Sequence, residues 1–552
     1  MEGSKDPYRA SPSASPPEKS EDVSNSAHSY APERPEDEPQ YPGKAKLILI
    51  ILSLNLAMFL VGLDNTIISS AIPRITDQFN ALDDVGWYAS AYMLTNCAFQ
   101  LAWGKLYTFY VVKWVYLAAL FIFELGSLIC AVSPSSKALI VGRAIAGLGG
   151  GGVGNGSFLF IAHSVPQQQR PTYIGMMGAM YGFSAIAGPL MGGAFTDNPT
   201  LTWRWCFYIN LPLGAVPALV LLFFVSPFRG SKDGGKIGFI QQLKQMDLFG
   251  TLCLLPGVIC LLLALQWGGA TYPWSNGRII ALFVIAGCLL VGFCVIEYIS
   301  GDRAVVPRRV FSNRNVWGSS LFGSCVVACF FTILYYVPIW FQAIKDASPI
   351  RSGVMALPMV LSYVAFSFMG GALTSVIGYY MPFAYGTIIL MAMGTGLLST
   401  LEVNSGRAAW IGYQFLLGAG VGFGLQTAFA TPQCALPIED IPVGTAIVLF
   451  TENLASAVMV SVAEKVFTNQ LVSNVARYVP DADTGAILRG GATSIKEMVP
   501  SSLYPAVLFA YNKSLTQTFY VGVALSCCGI LGTFAMQWVS VKKDAKKATS
   551  SA

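Results

Sequence analysis

Apolar stretches of membrane-spanning length recur along this chain from Leu47 to Val539, separated mostly by short polar breaks. A hydrocarbon core of about 30 Å takes about 20 residues of α-helix at about 1.5 Å rise per residue. Fourteen stretches qualify: 47–69, 87–108, 114–132, 138–162, 173–195, 206–228, 247–266, 278–299, 316–342, 353–376, 380–400, 409–430, 443–468 and 517–539. An enzyme anchored in a bilayer needs one or two spans. Fourteen spans with almost no soluble domain predict an all-α membrane protein whose membrane part is the working part, and polytopic machines are most often transporters.

Composition agrees with that pattern. Of 552 residues, 54% are hydrophobic and 11% are charged, whereas soluble domains carry about 25% charged residues. Fifty-five glycines suit close helix packing in lipid, where small residues let backbones approach. Most of the 12 cysteines fall inside the spans, where Cys behaves as a small hydrophobe. His28 and His163 are the only histidines, and no metal-ligand spacing occurs, so neither a metal nor another cofactor is expected. The net charge of +5 is scattered over short loops and does not indicate nucleic acid.

Residues 1–45 are rich in Ser, Pro, Glu and Asp and read as a disordered cytosolic tail. The tail lacks the short apolar core of a cleavable signal peptide, so the first span is expected to insert as its own signal. With the N-terminus in the cytosol, 17 Lys and Arg fall in inner loops and tails against 7 in outer short loops. That bias places both termini inside. It places a long loop, about 469–516, outside, where Asn512-Lys513-Ser514 forms a glycosylation sequon close to the last span. Basic loops at 229–246 and 300–315 bracket spans seven and eight. The division implied is a six-helix bundle at 46–228, a two-helix insert at 229–315, a second bundle at 316–540 and a basic tail at 541–552. No sequence repeat between the halves accompanies it.

The fourth span holds Arg143, Gly147, Gly150, Gly151 and Gly154, whose spacing lines one helical face. An arginine in lipid is costly: it faces a partner or cavity, or snorkels to the headgroups. The fifth span holds Gly188-Pro189-Leu190-Met191-Gly192-Gly193. The proline removes a backbone donor and bends the helix, and the glycines admit a neighbour, either at a gate or in a plain packing interface. Asp64, near the outer end of the first span, is a titratable carboxylate if partly desolvated, or else an interfacial charge. Tyr92, Asn96 and Gln100 share one face of span two, and Gln342, Gln426, Glu452 and Asn453 lie in later spans. As a group these polar residues are expected to line a cavity or to hydrogen-bond between helices. Glu452 is the sharpest among them, since an ionisable group in lipid needs a proton or a partner. Glu124, and Glu464 with Lys465, are expected near the interface or in pairs. The tryptophans are expected mostly as an interfacial belt. The glycine run at 147–152 is no nucleotide loop, because no strand precedes it, and no phosphate-binding G-x-x-x-x-G-K-[ST] occurs.

These segments resemble the major facilitator superfamily. Arg143 and its glycine run look like motif B. The Gly188–Gly193 string resembles motif C, the antiporter signature of drug:proton exporters. Leu63-Asp64-Asn65-Thr66-Ile67 with Ala71 and Pro73 is similar to the motif of the fourteen-span branch, and Trp87, Tyr92, Trp203–Trp205, Asn210 and Pro212 also match it. Gly104–Thr108 and Pro349–Val354 look like its fungal members. The resemblance covers about 45–540. It implies a major facilitator fold of two six-helix bundles plus two extra helices. It also implies proton-coupled efflux of small, largely apolar organic compounds (toxins, drugs or secondary metabolites) by a monomer in the plasma membrane, or in a vacuolar or vesicle membrane. In that reading Asp64 carries the proton, Arg143 tunes it, and Gly188, Pro189, Gly192 and Gly193 shape the gate. One departure stands out. The loop between spans two and three keeps only Gly104, Leu106 and Lys113 of the family's charged motif, with Thr108, Phe109 and Val111 at its Asp, Arg and second Gly positions. Alternatives within and outside transport are a siderophore or amino-acid transporter of a related branch, and a non-transporting membrane sensor.

Overall fold

Inside a bilayer every backbone polar group must be satisfied within its own segment, which leaves long apolar runs only the helix. In a computed structural model the described residues are 41–81, 84–198, 200–228, 247–269, 272–480, 500 and 503–542. Their regular structure is helical, apart from two isolated β-bridges. Fourteen long helices follow in chain order: α1 Lys44–Phe79, α2 Val85–Phe109, α3 Val112–Val132, α4 Ser136–Ser164, α5 Arg170–Asp197, α6 Asn210–Phe224, α7 Leu248–Trp267, α8 Gly277–Ser300, α9 Arg314–Lys345, α10 Leu357–Ile377, α11 Met381–Leu398, α12 Arg407–Ala435, α13 Ile441–Tyr478 and α14 Tyr504–Ala535. Thirteen are long and apolar enough to cross a membrane, α6 when taken with the short helix Trp205–Tyr208 that leads into it. The exception, α2, spans about 37 Å at the usual helical rise and falls short only in apolarity, because Tyr92, Asn96, Gln100 and Lys105 lie along it. Exposed Phe121, Leu190, Val291 and Ile299 form part of a lipid-facing surface.

The helices pack by a repeated diagram. In the first six, α1 touches α4, α5 and α6, α4 touches α2 and α3, and α3 touches α6. The same six pairs recur in α9–α14: α9 with α12, α13 and α14, α12 with α10 and α11, and α11 with α14. The contacts between bundles are reciprocal as well: α5 packs on α10 and α12, while α2 and α4 pack on α13. Parallel repeats about an axis along the membrane normal produce this pattern. The intervening helices α7 and α8 pair with each other, and α7 docks on α2 and α13.

Several expectations change here. The described residues of the expected outer loop at 469–516 are mostly helical, since α13 runs to Tyr478 and α14 starts at Tyr504. These extensions keep a buried stripe (Leu471, Val475, Val507 and Ala510), and Asn474 Nδ2 donates to Ser514 Oγ at 2.9 Å and Gln517 Oε1 at 2.8 Å. The sequon residue Asn512 is buried, accepts from Trp340 Nε1 at 2.7 Å and donates to Leu401 O at 3.0 Å, a packed position that argues against the expected glycan. The tryptophans divide: Trp114 and Trp205 are exposed, but Trp103, Trp203, Trp340 and Trp410 are buried. Trp103 Nε1 donates to Leu148 O across the α2–α4 seam at 2.9 Å. The proposed tail and the basic stretch at 229–246 lie almost wholly outside the described residues.

Candidate functional site

Asp64 of α1 and Arg143 of α4 are both fully buried and form an ion pair inside the N-terminal bundle. Arg143 thus does not snorkel, and Asp64 is no interfacial charge. Neither ion could stay there unpaired, since taking one charge out of water costs several kcal/mol (roughly, even after relaxation). The guanidinium is held from three sides. Nη1 reaches the Asp64 carboxylate and also donates to Asp64 O at 3.0 Å, and Nε donates to Tyr88 O at 2.7 Å. The Tyr92 ring lies 4.6 Å below it and Phe207 stands 6.0 Å away, close enough for the ring quadrupoles to stabilise the cation.

The other carboxylate oxygen, Asp64 Oδ1, accepts from Asn210 Nδ2 at 3.1 Å, and that nitrogen also reaches Ser127 Oγ at 3.1 Å. Asn210 opens α6 and Ser127 belongs to α3, so the cluster joins α1, α3, α4 and α6. Ser127 was not singled out in the sequence, and Asn210 appeared only within a motif match. The one signal for Asn210 is a polar residue opening the apolar run of α6. Glu124, expected near the interface or in a pair, lies one turn before Ser127 on α3. Its oxygens are buried without a hydrogen-bond partner and press against Gly214 of α6.

The proline–glycine segment of α5 packs on the same α1. A Cβ built on Gly188 would lie 2.2 Å from Thr66 Oγ1, and one on Gly192 would lie 2.7 Å from Ile67 O. Thr66 Oγ1 donates to Ser184 O at 3.0 Å and Ser70 Oγ to Pro189 O at 3.1 Å, which fastens the bent part of α5 to the turns around Asp64. Gly193 has no atom within 4 Å of where its Cβ would sit.

The bundles are sealed at the end assigned to the cytosol by the charge count. Phe158 of α4 stacks on Phe429 of α12 with centroids 4.3 Å apart. Gln433 Nε2 donates to Phe158 O at 3.3 Å, and Arg170 Nη1 donates to Gln433 O at 2.9 Å. Tyr363 Oη donates to Gly178 O at 2.8 Å, and a Cβ on Gly371 would lie 2.3 Å from Pro171 O.

A model of the Major Facilitator Superfamily matches residues 54–460, about three-quarters of the chain. The chain belongs to the Major Facilitator Superfamily. Similar members of the superfamily include the MFS-type transporter astH of Aspergillus oryzae, 49% identical over 96% of this chain and 94% of that protein. The MFS-type efflux pump MFS1 of Trichophyton rubrum is 50% identical over 90% and 92%. The efflux pump aflT of Aspergillus parasiticus is 48% identical over 90% and 97%. Among solved structures, the proton:xylose symporter XylE shares the superfamily fold at a TM-score of 0.60 with 13% identity, covering 89% of this chain and 95% of its own.

Most of the anticipated cavity residues sit in seams between helices. Tyr92 and Gln100 are buried in the α2–α4 seam: Tyr92 Oη donates to Val61 O at 3.3 Å, and Gln100 Nε2 lies 3.5 Å from Gly151 O. The glycines of α4 make that seam possible, since a Cβ on Gly147 would lie 2.1 Å from Tyr92 O. Asn96 keeps partial exposure. Gln342 donates to Ser352 Oγ at 3.0 Å, tying the outer end of α9 to the short helix Pro349–Met355. Gln426 is buried and donates to Thr374 Oγ1 of α10 at 3.3 Å. Glu452 of α13 is buried against Gly323 of α9, with Oε1 unpartnered, and Asn453 beside it is half-buried. In the degenerate loop of the superfamily motif, Lys113 turns inward and caps α6, its Nζ donating to Leu222 O at 2.8 Å and Val225 O at 2.9 Å.

Proposed function

We propose that this protein exports small, largely apolar organic compounds across the plasma membrane in exchange for protons. The observation that carries the reading is the buried Asp64–Arg143 pair, wired to four helices of one bundle while the bundles are closed at the cytosolic end. The relatives named efflux pumps support the direction of transport. Bundles at 46–228 and 316–540 rock about a midplane site, as alternating access requires, with 229–315 as an appended pair. The protein works as a monomer.

The chemistry follows from the pair. With Asp64 ionised, Arg143 binds α4 to α1, and Asn210 draws α6 to the same carboxylate. A proton on Asp64 removes the charge that holds the guanidinium, so Arg143 loses its ionic partner while keeping Tyr88 O. A proton biases the equilibrium only if the two conformations hold Asp64 at different proton affinities. The α5 bend, clamped to Thr66 and Ser70, passes that change to α10, on which α5 packs. Asn96, Glu452 and Asn453 are the proposed cavity side chains.

Inside-out vesicles bearing the full chain test this reading with a fluorescent apolar compound as cargo. An imposed gradient, acidic within, should drive accumulation, and Asp64→Asn, which mimics the protonated carboxyl, should abolish the response to the gradient. Gradient-driven accumulation by Asp64→Asn at the normal rate removes Asp64 from coupling.

A further inference from the structure

We propose that Glu124 is a second proton-binding carboxylate of the N-terminal bundle, exchanging protons in turn with Asp64 around the single guanidinium of Arg143. The inference rests on the proton-coupled reading and specifies where a second proton resides. Three polar groups of this region are buried without a partner: the Glu124 carboxyl oxygens, Asn210 Oδ1 and Arg143 Nη2. Asn210 and Arg143 are themselves fully buried. They are two acceptor groups and one donor, in a cluster otherwise closely bonded. Buried polar atoms are rarely left unmade, so unused capacity in one place marks a site with a second bonding arrangement.

Glu124 lies three residues before Ser127 on α3, and Gly214 lies four residues after Asn210 on α6. Residues at those spacings share a helix face, and Ser127 and Asn210 are bonded to each other. Glu124 and Gly214 are thus the next rung of the same α3–α6 contact, where only a glycine admits the carboxyl: a Cβ on residue 214 would overlap Glu124 Oε1. The titratable or charged groups around Glu124 come from every neighbouring element. Asp64 of α1 is the charged group that acts on Glu124 directly, and around Asp64 in turn stand Arg143 of α4, Tyr92 of α2, Cys206 of the short helix Trp205–Tyr208 and Cys130 of α3 itself. Among these, α6 presents only the neutral Asn210 and Gly214.

One guanidinium neutralises one carboxylate, and a dry interior disfavours a second bare charge. Asp64 holds Arg143 Nη1 and Asn210, while Glu124 has no donor, so the proton sits on Glu124 in this conformation. Asn210 Oδ1, one rung along the same contact, is then the acceptor that a single water could join to the Glu124 hydroxyl. The exchange balances. One proton enters at Asp64 and breaks its ion pair, one proton leaves Glu124 for the aqueous side, and the new carboxylate takes Arg143 through the free Nη2. The cluster is neutral before and after, and the two titrations belong to the pair.

The test needs no cargo. Purified full-length protein in liposomes is titrated with pH, and the carboxyl C=O stretch is followed by infrared difference spectroscopy, with Glu452→Gln as background to subtract the buried carboxyl of the other bundle. A protonated-carboxyl band should persist at neutral pH and vanish in Glu124→Gln. Glu124→Asp should restore it. In Asp64→Asn, Arg143 is free to pair with Glu124, so the midpoint of that band should fall by about 1–3 pH units. An unchanged band in Glu124→Gln, or an unmoved midpoint in Asp64→Asn, overturns the proposal. Efflux insensitive to a proton gradient, with the midpoint shift intact, would instead overturn the transport reading and leave the shared site standing.

Discussion

In the N-terminal bundle α1 and α4 face each other through Asp64 and Arg143; in the C-terminal bundle the equivalent helices, α9 and α12, face each other through Gly323 and Ala428, with Glu452 of α13 pressed against Gly323. The packing diagram is the same and the interior chemistry differs. The first bundle holds an ion pair, an asparagine bridge and a second carboxyl. The second, among the described residues, holds no ion pair within itself, and its buried polar groups are mostly neutral, such as Gln414, Gln426, Thr431 and Asn512. Helix packing in lipid needs small residues and backbone approach, and both bundles supply them. Charge is an addition that packing does not require. Among the described residues the buried ion pair belongs to one bundle, and the other holds the buried carboxyl of Glu452 without a cation beside it.

The hardest blow to that division is Arg143→Leu. It leaves Asp64 buried without its cation, with only Asn210 still donating to it, a loss of about 3–5 kcal/mol for a broken buried pair. Thermal unfolding of the detergent-purified protein should show a large drop, and efflux should be lost. Adding Asp64→Asn removes the stranded charge, so the double variant should regain most of the stability and none of the proton response. A double variant as unstable as the single one would mean that the pair's surroundings, and not its charges, set the fold here.

Gly188→Val breaks the link between the pair and the α5 bend. Its Cβ would start 2.2 Å from Thr66 Oγ1 and 2.9 Å from Ile67 N, so backbone must move. Overpacking of this kind costs about 1–3 kcal/mol. Transport should be lost while binding of a fluorescent cargo to purified protein survives at reduced affinity. Normal efflux by a well-folded Gly188→Val would reduce the α1–α5 contact to packing without a role in the cycle.

Much of this was legible in the chain, for reasons that also explain what was not. Fourteen apolar runs became fourteen long helices because lipid leaves such segments little choice. Asp64 and Arg143 stood out because a charge inside an apolar run has few uses. The repeat between bundles was invisible because it resides in which helices touch, and many sequences satisfy that pattern. Whether Tyr92 and Gln100 face a cavity or a neighbouring helix was not legible because periodicity identifies a shared face but not what the face meets; here it meets the glycine ridge of α4. Glu124 was misjudged because its neighbours, Gly214 and Asn210, lie about ninety residues further along. The ends of α13 and α14 outran hydropathy because beyond the membrane they are held by Asn474, Ser514 and Gln517.

The C-terminal side of the comparison is sharpened by Glu452→Gln. The carboxyl is buried against Gly323 with Oε1 unpartnered, and in a low-dielectric interior it attracts a cation far more strongly than it would in water. Export of cationic compounds should fall severalfold, with neutral compounds spared and fold stability little changed, as read by a resistance panel at matched surface levels. An equal loss against both classes would place Glu452 among the packing groups.

The smallest effect belongs to Gly193→Ala, and its smallness is informative. Gly193 shares the proline–glycine segment with Gly188 and Gly192, yet a Cβ there meets nothing within 4 Å. Sequence pattern alone would give the three glycines equal standing. The packing does not, since Gly188 and Gly192 face α1 and Gly193 faces open space. Alanine in a helix interior is favoured over glycine by about 1 kcal/mol or less, so the variant should be as stable as the parent or slightly more so. Its efflux rate should match the parent within error, while Gly192→Ala, whose Cβ would lie 2.7 Å from Ile67 O, should slow transport. If Gly193→Ala instead slowed efflux as much as Gly192→Ala, the open space beside Gly193 would have to close on a neighbour in the other conformation. The α5 bend would then use both of its faces in turn during the cycle.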